Sequence, residues 1–491
     1  VKLLEPLPDA AEVLAQGLTH EHVDVQRAVV ASLKRLGRED LADAGGLSPV
    51  VAAEIGVEMN PTETRQATAV VDRPARPVVP FTDEDALERV AALVEDGGDP
   101  VELELALAWF AGTESPGERL APLRKRVKGA LTPLLQAAFN LPPEVGAEPW
   151  PFGEVPAVPS SVAQALWHQR IAEVAAVVAG KEPRRPLLAT PSDSHGFVEG
   201  SAFLDRLSQA RASLGDGVDL RLRCPGDLVQ AGFRLTEPDR LRAEQVLGFS
   251  LPGPSSRLNV VWVGKESDER KPNGEPEVTW WRARMSCEPE PTEPHPVEGW
   301  NHLNGDVLPF ALVDPSSTAY LVAATIETAM FGVTDFPSQV PRALRFLREQ
   351  NGRWAPETAQ LLALAMSAQR AETRTLAAEL LAESIPGRLG AAETAEGMAA
   401  TVMLCKVNRW ASSLSDAASI NAGSVIDLLT ALLPRLDPGL RGIGGLMQLL
   451  LDEQLRVGRL TEDETLREWL AGFTGSSAAA RCAKALLAAV P

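Results

Sequence analysis

The chain of 491 residues is poor in cysteine, histidine, tyrosine and positive charge, and each shortage removes a class of function. Its four cysteines, Cys224, Cys287, Cys405 and Cys482, are widely spaced and never form a Cys-x-x-Cys pair, which excludes a disulfide framework and a zinc knuckle and leaves free, mostly buried thiols as the expectation. Sixty-six acidic against 47 basic residues give a net charge of −19, a sign that repels phosphate backbones and argues against nucleic acid as the partner. Long hydrophobic runs are also missing: stretches such as "LALAWF" (105–110) fall far short of the roughly 20 residues of a membrane-spanning helix. The opening "VKLLEPLPDAAEV" lacks the basic stretch, apolar core and cleavage site of a secretory signal, so the expected location is the cytoplasm. It also starts on Val1 rather than Met, which fits either an alternative start codon or a fragment of something longer.

What the chain does have is a pattern repeated at its two ends. Residues 9–36 and 355–384 each read as two amphipathic helices joined by a short polar turn. In both, the second helix opens with an acidic residue, follows with an arginine and runs rich in Ala and Leu, as "DVQRAVVASL" (24–33) and "AETRTLAAELL" (371–381) show. Helix pairs of this kind cannot bury their apolar faces alone and stack on neighbours into a solenoid, whose extended surface binds other proteins.

Five segments follow from composition. Residues 1–59 hold N-terminal helices, and 60–82 form a Pro-rich polar linker. Residues 83–182 are helical, opening on the capping sequence Thr82-Asp83-Glu84-Asp85 and including one long helix over 117–139. In 183–340, Pro, Gly and β-branched runs predict a mixed α/β region with strands at 185–190, 218–225, 256–266 and 276–287, the last two making a hairpin. From 341 to 491 the helices return in pairs with brief connections. The basic run Arg124, Lys125, Arg126 and Lys128 spreads around a helix circumference and reads as a solvated face.

No arrangement of residues carries convincing chemistry. The turn "TPSDSHGFVEG" (190–200) is the one place where Asp193, Ser194 and His195 crowd together. Side chains adjacent in sequence diverge, so a relay is not expected, but the turn is the best binding-loop candidate in the middle region. His20 and His22 lack the spacing that puts two histidines on one helix face, and no metal is expected. Glu102 and Glu104, two apart on a helix, read as solvated carboxylates. Trp262, Trp280 and Trp281 cluster on the hairpin, where an exposed tryptophan would mark an interface. No catalytic residue and no cofactor is expected.

Residues 9–36, with Asp24, Arg27 and the Ala/Leu spacing that follows, resemble a HEAT repeat. The segments "PLLATPSDSHGFVEGSAFLDRL", "TRTLAAELLAESIPGRLG", "NRWASSLSDAAS" and "EWLAGFTGSSAAARCAKALL" resemble a bacterial family of unknown function typical of high-GC genomes, whose members are encoded beside SWIM zinc-finger proteins, MoxR-type AAA ATPases and von Willebrand A domain proteins. The family brings no catalytic residues to carry over. In some members the middle turn is a Thr-Pro-Thr-His-like segment followed by Gly and Trp, where this chain has Thr190-Pro191-Ser192-Asp193-Ser194-His195-Gly196-Phe197. The resemblance implies a scaffold in a multiprotein system with those proteins as partners. The expected fold is therefore mostly α, an α-solenoid of HEAT-like helical pairs with a mixed α/β middle region. The alternatives from other classes are a DNA glycosylase-type enzyme on the same repeats, which the −19 charge opposes, and a small-ligand-binding regulator using the 190–200 turn.

Overall fold

The computed structural model describes residues 10–19, 23–41, 51, 74–96, 98–142, 159–215, 217–253, 258–270, 276–287, 311–332, 339–457 and 463–489. The described chain is mostly helical, and it divides into two compact units. One unit joins the two ends, Val1–Val71 with Thr328–Arg348 and Gly352–Pro491, and the other comprises Asp72–Glu327 with Glu349–Asn351.

In the unit formed by the ends, α1 (Ala10–Ala15) and α2 (Val23–Arg35) pack around a small core of Ala10, Ala11, Leu14, Leu18, Val29 and Leu33. The C-terminal part runs α13 (Val340–Glu349), α14 (Glu357–Met366), α15 (Ala371–Ser384), α16 (Ala391–Thr401), α17 (Val407–Leu432), α18 (Ile443–Val457), α19 (Glu464–Ala471) and α20 (Ala478–Ala489). Helix α15 is buried on nearly every face because α14, α17 and the N-terminal α2 all pack against it. The two segments with the shared sequence pattern are therefore spatial neighbours. Glu379 of α15 is buried there, 3.1 Å from Arg348 Nη2. Burial pushes its carboxyl above the usual range while Arg348 and, more weakly, Arg27 of α2 pull against that rise.

Packed helices of this part are joined by side chains that satisfy the carbonyls left over at helix C-termini. At the end of α14, Trp410 Nε1 donates to Ala363 O (2.7 Å), Ser413 Oγ to Met366 O (3.0 Å) and Arg409 Nη1 to Ser367 O (2.8 Å). At the end of α15, Asn421 Nδ2 donates to Ala382 O (3.3 Å) and Ser424 Oγ to Ile385 O (2.7 Å). Asn421 also breaks α17: its backbone is non-helical (φ −147°, ψ 81°), and its Oδ1 accepts from Ser424 N, capping the second half as a new helix. Trp469 Nε1 repeats the device on Leu436 O (3.1 Å). The segment Val407–Arg435 is long and apolar enough to cross a membrane by composition. Its apolar residues Leu414, Ile426, Leu428, Leu429 and Leu432 are buried in the protein, and Asn421 interrupts it, which is the pattern of a core helix.

The other unit begins with α3 (Ala86–Asp96), whose start is fixed by reciprocal bonds: Asp85 Oδ1 accepts from Thr82 N (2.7 Å) and Thr82 Oγ1 from Asp85 N (3.3 Å). Helices α4 (Pro100–Gly112), α5 (Pro116–Arg119), α6 (Thr132–Ala138) and α7 (Pro159–Val178) follow. They are succeeded by α8 (Gly200–Leu214), α9 (Leu220–Arg223), α10 (Pro225–Arg234), α11 (Glu237–Leu247) and the first part, to Glu327, of α12 (Ala319–Gly332). The single helix expected over 117–139 is broken into α5, a 3-10 turn Ala121–Lys125 and α6, because Pro122, Pro133 and the positive-φ Gly129 interrupt it. The basic run 124–128 therefore lies on a tight turn and loop, not around a helix.

Two of the expected strands are not strands. Residues 185–190 form an irregular loop ending in a turn, and 218–225 forms α9, nucleated by Asp219, whose carboxylate accepts from Arg221 N (2.9 Å). Strand-like composition loses here to capping and to Pro225 at the start of α10. Leu258–Arg270 (β1) and Pro276–Cys287 (β2) pair antiparallel in a two-stranded sheet, with Val261 opposite Arg284 and Lys265 opposite Trp280.

Replacing Trp410 by Phe keeps most of its packing but removes the donor to Ala363 O. The expected cost is about 1–3 kcal/mol in urea unfolding, and a variant as stable as the wild type would contradict the capping role.

Candidate functional site

The 190–200 turn sits on a buried cluster of charges drawn from distant parts of the sequence. Helix α4 is buried around most of its circumference, so Glu104, 3% exposed, has no water to face. The solvated reading of Glu104 is thus corrected: the carboxylate is held bidentately by Arg170 of α7 (2.6 and 2.7 Å), and Arg234 Nη2 of α10 lies 2.8 Å away. Glu102, on another face of α4, pairs instead with Arg89 at 2.8 Å. Burial alone would raise Glu104, but the two guanidiniums hold it down to about 2.

Most of the cluster's other polar groups go to the backbone of the turn and its supports, while Arg170 Nε is buried without a hydrogen-bond partner among the described residues. Asp227 of α10 accepts from Leu188 N (2.6 Å) and Ala189 N (3.2 Å). Arg234 donates to Ala189 O (2.7 Å) and Leu312 O (2.9 Å), and Gln230 Nε2 donates to Leu312 O (3.1 Å) and Val313 O (2.9 Å). Arg206 of α8 donates to Thr190 O. Glu173, three residues beyond Arg170 on α7, accepts from Gly226 N (2.7 Å), Asp227 N (3.2 Å) and Gln169 Nε2 (3.0 Å), so it caps the N-terminus of α10. Burial, helped by the nearby Asp227 carboxylate, pushes Glu173 up to about 7 against the pull of those donors and of Arg185. Cys224 is buried beside them, and burial pushes its thiol up.

Above this base the turn is self-bonded. Asp193 Oδ1 accepts from His195 N (2.9 Å) and Phe197 N (3.2 Å), and Ser192 N donates to Phe197 O (2.7 Å). Ser194 N donates to Arg76 O (2.8 Å) and Ser194 Oγ accepts from Arg76 N (3.1 Å), which brings part of the expected linker onto the turn. His195 Nε2 lies 3.3 Å from Asn351 Nδ2. Gly196 has φ +95°, and a Cβ there would fall 2.6 Å from Leu312 Cδ2, so the turn closes only with glycine at this position. The Asp193, Ser194 and His195 side chains are thus spent on three different partners, and no hydrogen bond joins any of them into a relay. Asp193 and His195 are half-buried and Ser194 is exposed.

The other candidates divide. His20 and His22 lie outside the described residues, and among the described residues no group of three or more His, Cys, Asp or Glu is gathered to hold a metal. By register, Trp262 opposite Ala283 and Trp281 opposite Gly264 occupy positions on one face of the hairpin, with Trp280 on the other; their side chains lie outside the described residues. Cys224, Cys405 and Cys482 are free.

Glu104→Gln leaves two buried guanidiniums without their anion and is expected to cost about 3–5 kcal/mol, whereas Ser194→Ala at the exposed tip is expected to stay within about 0.5 kcal/mol. Equal losses for both in urea unfolding would contradict the division between base and tip. Glu173 adds a pH dependence of definite sign. Its folded pKa of about 7 lies above the ordinary carboxyl value of 4.5, so the folded state binds the extra proton between them and stability falls as pH rises through that window. Glu173→Gln should flatten this part of the profile between pH 5 and 8, and parallel profiles would refute it. Glu104 acts in the opposite sense, its contribution present above pH 4.5 and lost as pH falls towards 2.

Comparisons of the chain with protein-family models, curated proteins and solved structures return no match, so the functional reading rests on this geometry.

Proposed function

We propose that the chain is a non-catalytic scaffold or adaptor that binds other proteins in the cytoplasm through an α-solenoid of HEAT-like helical pairs. The observation that carries this reading is side-chain capping between packed helices: from α17, Trp410 and Ser413 on the end of α14 and Asn421 and Ser424 on the end of α15, and from α19, Trp469 on Leu436. Such joints make a stack whose geometry is set by nearest neighbours, and a stack of that kind presents a continuous surface to a protein partner. The resemblance noted in the sequence makes AAA ATPase, SWIM zinc-finger and von Willebrand A domain proteins the first partners to look for. The net charge of −19 weighs against a DNA glycosylase-type enzyme.

A second reading is favoured by one specific observation. The backbone of residues 188–190 is held by Asp227, Arg234 and Arg206, which gives the 190–200 turn the rigidity of a recognition loop for a small ligand.

Affinity purification of the tagged chain from its native host, with a parallel nuclease-treated sample, tests the scaffold reading. A stoichiometric protein partner that survives nuclease is the expected result. Nucleic acid alone, or no partner, would overturn it, and base release from damaged DNA would establish the enzyme.

A further inference from the structure

A groove of about 410 Å³ runs between α3 and the 3-10 turn Ala121–Lys125. Leu87 and Ala91, one turn apart on α3, line it together with Pro122 and Leu123 of the turn. Glu84 and Glu88, also one turn apart, form one wall, and Arg126 stands on the other. The acids along this stretch are used unequally. Asp83 pairs with Arg119, Asp85 with Arg89, and Glu95 with Arg126, the groove's own cation. Glu84 and Glu88 are exposed and have no ion-pair or hydrogen-bond partner among the described residues. An apolar strip beside two unneutralised carboxylates at helical spacing is complementary to a helix with apolar residues at i and i+4 flanked by lysine or arginine. The net charge of −19 steers a segment of that sign towards the chain.

We infer that this groove is the docking site for a basic amphipathic helix of a partner protein, its apolar stripe on Leu87 and Ala91 and its cations on Glu84 and Glu88. The inference rests on the scaffold reading and names one surface that would serve it. The wall carboxylates supply direction and register, and the apolar strip supplies the area removed from water.

The test is fluorescence anisotropy on the full chain with a short synthetic helix of leucine and lysine as probe. Two controls accompany it, one with glutamate in place of lysine and one with the same leucines scattered around the helix. Saturable binding of the first peptide alone is expected. The double variant Glu84→Gln, Glu88→Gln should weaken it about tenfold, as loss of two exposed charge contacts implies. Ala91→Trp, which fills the strip, should abolish it, with circular dichroism showing both variants folded. Absence of saturable binding would overturn the inference. So would binding that neither variant changes, since that is general attraction to an acidic protein. A native partner recovered equally well by the Glu84→Gln, Glu88→Gln chain would keep the scaffold reading and remove this groove from it.

Discussion

Burying a carboxylate forces its surroundings to answer for the charge, and in the unit of residues Asp72–Glu327 that requirement organises four separate segments. Glu104 sits on a helix enclosed on nearly all sides, so Arg170 and Arg234 must reach it from α7 and α10. Once Arg234 is anchored there, its remaining donors fall on Ala189 O and Leu312 O, and the turn and the 311–314 segment are drawn to the same point. Asp227, 3.9 Å from Arg170, completes the arrangement by taking the amides of Leu188 and Ala189. An ionic cluster of this sort is weak evidence for net stability, because desolvation offsets most of the attraction. What it does supply is a single allowed arrangement, since any displacement leaves a charge unpaired in a dry interior.

The unit formed by the two ends depends on a different device. Its helices are rich in Ala and Leu and would slide past one another if packing alone set their register. Directional bonds from Trp410, Ser413, Asn421, Ser424 and Trp469 to carbonyls of neighbouring helices fix that register. The same bonds satisfy acceptors that would otherwise be buried without a donor. The N-terminal α2 joins this array by packing against α15, so chain order and spatial order differ: α2 lies beside a helix more than three hundred residues later.

Helical segments are readable in the C-terminal third from Ala- and Leu-rich runs separated by Gly, Pro and short polar turns. The helices expected between 341 and 491 are found as α13 to α20, with α17 divided at Asn421. Pattern failed where local chemistry competed with composition. "VDLRLRCP" alternates like a strand, yet Asp219 and Pro225 turn it into a helix and the start of another. Glu104 was missed for a related reason: two carboxylates in "VELEL" suggest a solvated face, and only the burial of most of α4 shows that one of them points inward. A sequence signal did exist, because α4 is almost continuously apolar and leaves no polar side for Glu104 to belong to. The arginines that pair with it stand 66 and 130 positions away, beyond the reach of any local pattern. The 190–200 turn was found from its crowding of polar residues, but those side chains are engaged with Arg76, Asn351 and the turn's own amides.

The most direct test of this account is native-state hydrogen exchange at the amides of Leu188, Ala189, Gly226 and Asp227, which accept no protection from a regular helix or sheet ladder of the turn itself. If the buried cluster holds the turn, these amides exchange as slowly as the interior of α7 and α10, through opening of the whole unit. Exchange as fast as that of the exposed Ser194 tip would mean that the turn opens independently of the charges beneath it, and the central claim would fail.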